Sequence, residues 1–107
     1  MLVACADRGL WQAGDKAKQD AASKAWYANA DDIATFLSGA NAKNWPLDVM
    51  KTQMKKHLDL TLAEAVARLT GDWARYVSAY DAVHNHILML AVTLSDGIIK
   101  QYPDKFK

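Results

Sequence analysis

The chain is short of cysteine, glutamate and net charge, and each shortage removes a class of function. A lone cysteine, Cys5, among 107 residues excludes an intramolecular disulfide, a thiolate zinc cage and any Cys-x-x-Cys redox or haem-attachment motif. Thirteen basic against twelve acidic side chains leave a formal charge of +1, so there is no net field to gather nucleic acid or anionic lipid headgroups. Glu64 is the only glutamate although glutamate is a better helix former than aspartate, and nothing in the physical chemistry of the chain explains that bias. No apolar run approaches the about 18 residues of a membrane span. A Gly-x-Ser-x-Gly elbow, a phosphate-cradling glycine loop and a His-Glu-x-x-His helix are all missing, so no catalytic residue is assigned and a non-enzyme is expected.

What is present is the composition of an ordinary folded domain: 51% apolar and 23% charged is enough for one hydrophobic core and, at this length, not for two. Residues 1–14 carry Gly9 and Gly14 without a sustained period and read as a loose N-terminal arm. Residues 15–107 read as the single domain. Over 15–38, Ala22, Trp26, Asn29, Ile33, Phe36 and Leu37 recur at steps of three and four, the spacing of an amphipathic helix, and Gly39 offers a left-handed stop. Asn44-Trp45-Pro46 opens a second helix, with Pro46 in its first turn, where a missing N–H costs nothing. Its stripe Leu47, Met50, Met54, Leu58 loses phase before Val66, and Thr61-Leu62-Ala63-Glu64 reads as a capping box, so a kink or fresh start is expected at 59–61.

From Leu62 the register is regular. Val66, Leu69, Trp73, Tyr76, Tyr80, Val83, Ile87, Leu90 and Leu94 step alternately by four and three, which predicts packing along a narrow seam. Phase alone does not say whether Gly71 breaks this stretch; a break there gives helices of similar length that match as a bundle, and Tyr102-Pro103 ends the last. The fold expected is all-α, an antiparallel up-and-down bundle of three long helices, or four if the second one breaks.

Leu2-Val3-Ala4-Cys5 resembles a bacterial lipobox, the processing signal in which a small apolar residue precedes a lipidated cysteine. The resemblance implies a lipid anchor on Cys5 and a place in the cell envelope. A charged segment and about 7 to 15 apolar residues would then have to precede Met1. The alternative is a cytoplasmic protein with an incidental thiol.

Asp81 and His84, three apart on a helix, project to one side and can share an ion, as carboxylate-x-x-His pairs do in metal-binding bundles. His57 and Asp59 at the second helix, with Asn29 and Asp32 on the first, are the further donors. The set Asp81, His84, His57 defines a mononuclear transition-metal reading, and the other reading makes His84 a hydrogen-bonded histidine at the core edge. Met50 or Met54 with His84 would form a haem axial pair, but methionine at helical spacing is ordinary core filler. His86 lies about 200° from His84 on a helix and is expected on the surface. Asn29 suits a polar bond across the bundle. Trp26, Trp73, Tyr76 and Tyr80 are large core residues that could also line a pocket, and Lys51, Lys55 and Lys56, with Asp31 and Asp32 elsewhere, make a solvated charged surface.

The run 87–92, Ile-Leu-Met-Leu-Ala-Val, covers every face of a helix, whereas a surface helix needs one apolar stripe. Something must cover Met89 and Val92, and an interface of Met89, Val92 and His86 in a homodimer is the expectation. The function expected is a non-catalytic binding or protein-interaction module, lipid-anchored if the lipobox is real, without nucleic acid; the alternative is the mononuclear metal-binding bundle.

Overall fold

The computed structural model describes residues 16–107. Three helices make up almost all of it: α1 (Lys16–Ala40), α2 (Leu47–Thr70) and α3 (Trp73–Gln101), followed by one 3-10 turn at Pro103–Lys105. There is no strand among the described residues. The architecture is the expected all-α three-helix bundle, with α2 packed against both neighbours and α1 touching α3 only slightly. Its dimensions, 53 × 28 × 19 Å, are those of helices laid side by side, which leaves much of α3 without a neighbour.

The helix ends follow from local chemistry. Gly71 adopts φ 75°, ψ 16° and closes α2 by donating its N–H to the Ala67 and Arg68 carbonyls, while the Asp72 N–H reaches the Ala67 carbonyl at 3.0 Å. This left-handed stop suits glycine because a Cβ would crowd the following carbonyl. Asp72 then caps α3, its Oδ1 accepting from the Arg75 N–H at 3.1 Å. Gly71 is therefore a turn, and the unbroken forty-residue alternative is excluded.

Three local expectations are corrected. Gly39 is not a left-handed stop, since Gly71 is the only described glycine with positive φ; α1 runs on to Ala40, and the Asn41 carbonyl instead organises the turn by accepting from the Asn44 and Trp45 N–H groups. Pro46 is the N-cap rather than a first-turn residue, with its carbonyl accepting from Met50. The capping box at Thr61 does not form: Thr61 Oγ1 donates back to the His57 carbonyl at 2.7 Å, a bond available only inside a continuing helix, and α2 passes through 59–61 without a new start.

The largest correction is rotational. Trp73 and Tyr80, expected in the seam, are 56% and 52% exposed, and Ile87 is also exposed. The line of α3 that faces inward runs through Ala79, Val83, His86, Leu90 and Gly97. Likewise α1 buries Trp26, Ala30, Ala34 and Ser38, whereas Phe36 is 76% exposed. Small side chains lie inward because they let helix axes approach closely, and close packing outweighs the transfer energy of any one large residue.

The core divides into two clusters joined by Met54. Trp26, Ala30 and Leu58 form one, with Tyr27 and Leu62 against them. Ala34, Trp45 and Met50 form the other, with Leu37 and Leu94. The α1–α2 connection is pinned to the far end of α3: Trp45 Nε1 donates to the Thr93 carbonyl at 3.2 Å, buried Asn41 donates to the Gly97 carbonyl at 2.9 Å, and Gln101 donates to the Ala40 carbonyl at 3.0 Å.

Candidate functional site

Two features of α3 stand out, one on each side of it. On the inward side His86 is only 3% exposed. Its ring stacks on His57 of α2 with centroids 5.6 Å apart and planes 21° from parallel. His86 Nε2 lies 2.9 Å from Gln53 Oε1. A carboxamide oxygen only accepts, so Nε2 carries the proton of the neutral ring and Nδ1 holds a lone pair. His86 Nδ1 and His57 Nδ1 are both buried without a hydrogen-bond partner. Burial, and after it the neighbouring His57 and Lys56, hold the His86 imidazole below the ordinary histidine range, because each of these disfavours the charged form.

On the outward side, Val77, Leu88, Met89 and Val92 are each more than half exposed, and Ile99 is exposed beside them. At about 100° per residue, Val77, Leu88, Val92 and Ile99 fall within one stripe about 60° wide on the side away from His86. Along that stripe only Asp81 carries charge. By length and composition α3 alone among the described helices qualifies as a membrane span, but its uncharged stretch, 82–95, is shorter than the about 20 residues that a spanning helix needs.

The metal set expected from sequence is not assembled. His84 is exposed and its ring stacks on Tyr80 at 6.3 Å, whereas His57 faces His86. Asp81 is exposed as well. No three His, Cys, Asp or Glu side chains among the described residues stand close enough to share an ion. The His57–His86 pair does not replace that set: imidazole lone pairs lie in the ring plane, and near-parallel planes do not converge them on one point, while a zinc site needs three or four donors. The haem pairing fails for the same reason, since Met50 is sealed in the core with Trp45 and Ala34 and His84 lies outside it.

The expected contact residues divide. Met89 and Val92 are 60% and 58% exposed, but His86 is buried, a correction that follows from the rotation of α3. The signal that points to it is the seven-residue repeat Ala79, His86, Thr93, which the brighter row of large apolar residues obscures. Cys5, the proposed lipidation site, and the N-terminal arm lie outside the described residues.

The remaining candidates do not converge on one site, and a cleft of about 360 Å³ beside Tyr27, Asp31, Lys51 and Lys55 is the roomier of the two between α1 and α2. Asn29 lines an open cleft of about 170 Å³ between α1 and α2, with Trp26, Ile33, Met54, His57 and Thr61, smaller than the roughly 300–1,000 Å³ of small-molecule pockets. Trp73 and Tyr76 stack edge to face, with the Arg68 guanidinium over both rings, and do not form a pocket with Trp26. Lys55 pairs with Asp59 at 2.8 Å, and the Tyr27 hydroxyl donates to the same carboxylate at 2.5 Å; Lys51 and Lys56 are exposed. Comparison with protein families, with characterised proteins and with solved structures gives no match for this chain.

Proposed function

We propose that the protein is a non-catalytic interaction module whose outward α3 face joins a second copy of the chain. The observation that carries this is the apolar stripe Val77, Leu88, Val92 and Ile99 on a helix whose other side already packs on α2. Burying a half-exposed aliphatic side chain contributes roughly 1 kcal/mol. The four side chains of the stripe in two copies together gain about 8 kcal/mol, of the same order as the about 4–15 kcal/mol of freedom lost on association. The association is therefore reversible and concentration-dependent.

Charge does not oppose a copy of the same chain. The net charge of +1 does not keep copies apart, and Asp81 is the one charged side chain that the stripe brings to the contact. Light scattering on the wild type and on Val92→Asp tests the reading. A dimer that becomes a monomer in the variant, with helicity unchanged by circular dichroism, supports it. A wild type that stays monomeric at the highest soluble concentration overturns it.

A further inference from the structure

The described residues contain one buried titratable cluster, and it lies in the seam that holds α3 to α2. We propose that His57, His86 and Gln53 form an acid-sensitive latch that keeps α3 on α2 at neutral pH and loosens it under mildly acidic conditions. This inference concerns the inner side of α3 and stands whether or not the outer side meets a second copy.

The hydrogen bonding explains why the latch is asymmetric. In the neutral ring, His86 Nε2–H donates to Gln53 Oε1 and the Nδ1 lone pair is buried without a partner. A lone pair left without a donor is a mild loss, because under-satisfied acceptors are tolerated better than orphaned donors. Protonation puts a hydrogen on Nδ1, where no acceptor stands, and so creates a buried donor without a partner on a charged ring.

The electrostatics act in the same direction. The charged groups that act on His86 are His57 and Lys56 of α2, both of the sign that opposes a second proton. On its own helix the nearest carboxylate in sequence, Asp81, is exposed and points about 140° away. Asp59 of α2 is committed to Lys55 and the Tyr27 hydroxyl. From α1, no charged group acts on the ring. The cheapest route to a protonated His86 is for α3 to move off α2 and admit water.

The unfolded ring titrates near the ordinary value of 6.5 and the folded ring lower, so between those values the open state binds more protons. The stabilisation is complete above pH 6.5 and is lost as pH falls from there towards the folded value. The experiment is urea unfolding at about pH 7.5 and about pH 5.5 for the wild type, His86→Phe and His84→Ala, with titration of the histidine rings of the wild type by NMR. The expected result is a wild-type midpoint that drops at the lower pH, a drop largely abolished in His86→Phe and retained in His84→Ala, and a His86 ring that titrates below the ordinary value of 6.5. If His86→Phe does not fold, the ring titration with amide exchange along α2 and α3 decides, since the latch requires seam amides to lose protection over the pH range in which His86 charges. A His86 ring that titrates at or above 6.5, or a midpoint drop unchanged in His86→Phe, overturns the proposal.

Discussion

The Trp45 indole lies against Gly97 so closely that no Cβ fits at that position. The contact fixes the α1–α2 connection onto the end of α3, because the same indole donates to the Thr93 carbonyl and Asn41 donates to the carbonyl of Gly97 itself. Gly97→Ala forces the ring out of its site and is expected to cost about 1–3 kcal/mol by overpacking. Gly39 provides the control: it is helical and exposed, with open space where a Cβ would stand, so Gly39→Ala is expected to stabilise by about 0.5–1 kcal/mol. Urea midpoints that move in opposite directions for the two substitutions confirm the contact.

Met50 is the large side chain most completely enclosed, at 1% exposure, and its cluster takes residues from α1 and the connection, with Leu94 of α3 packed against it. Its truncation to alanine leaves a cavity that three elements must collapse together to fill. The expected cost is about 2–5 kcal/mol, measured by chemical unfolding, and a cost under about 1 kcal/mol would mean that this part of the core is loosely packed.

Asp59 offers a second pH effect, of the same sign as that of His86 and in a lower pH range. The bond from Lys55, and then that from the Tyr27 hydroxyl, hold its carboxyl below the usual value of 3.8. A depressed carboxylate contributes stability above 3.8 that is lost as pH falls through the folded value. The group is exposed, so solvent screens the pair and the effect on stability is small. The expected observation is spectroscopic: the Asp59 carboxyl, followed by carbon NMR, titrates nearer its ordinary value in Lys55→Ala than in the wild type.

Much of the fold is legible in the residues that break helices. Matched helix lengths favour the break that Gly71 makes, and Pro46 lies within one residue of where α2 begins. The rotation of α3 is not legible, for a physical reason. The row of large apolar residues Trp73, Tyr80 and Ile87 reads as the buried face, whereas helix approach is governed by the small residues Ala79 and Gly97 and by the planar His86. The same preference for size places Phe36 inward and passes over Ala30 and Ala34. Once the helix is turned, His84 moves to the surface and His86 meets His57, so the site expected from sequence and the site found share only His57. The unusual apolar character of 87–92 is legible, because a run without polar interruption does not depend on phase.

The central claim, that the outward side of α3 meets another copy of itself, is tested most directly by isotope-mixed NMR. Labelled and unlabelled chains are combined, and only contacts between copies are recorded. The account predicts intermolecular contacts from the methyl groups of Leu88, Val92 and Ile99, absent when both chains carry Val92→Asp. Intermolecular contacts confined to other surfaces, or none at a concentration where the rest of the spectrum is well resolved, would contradict it.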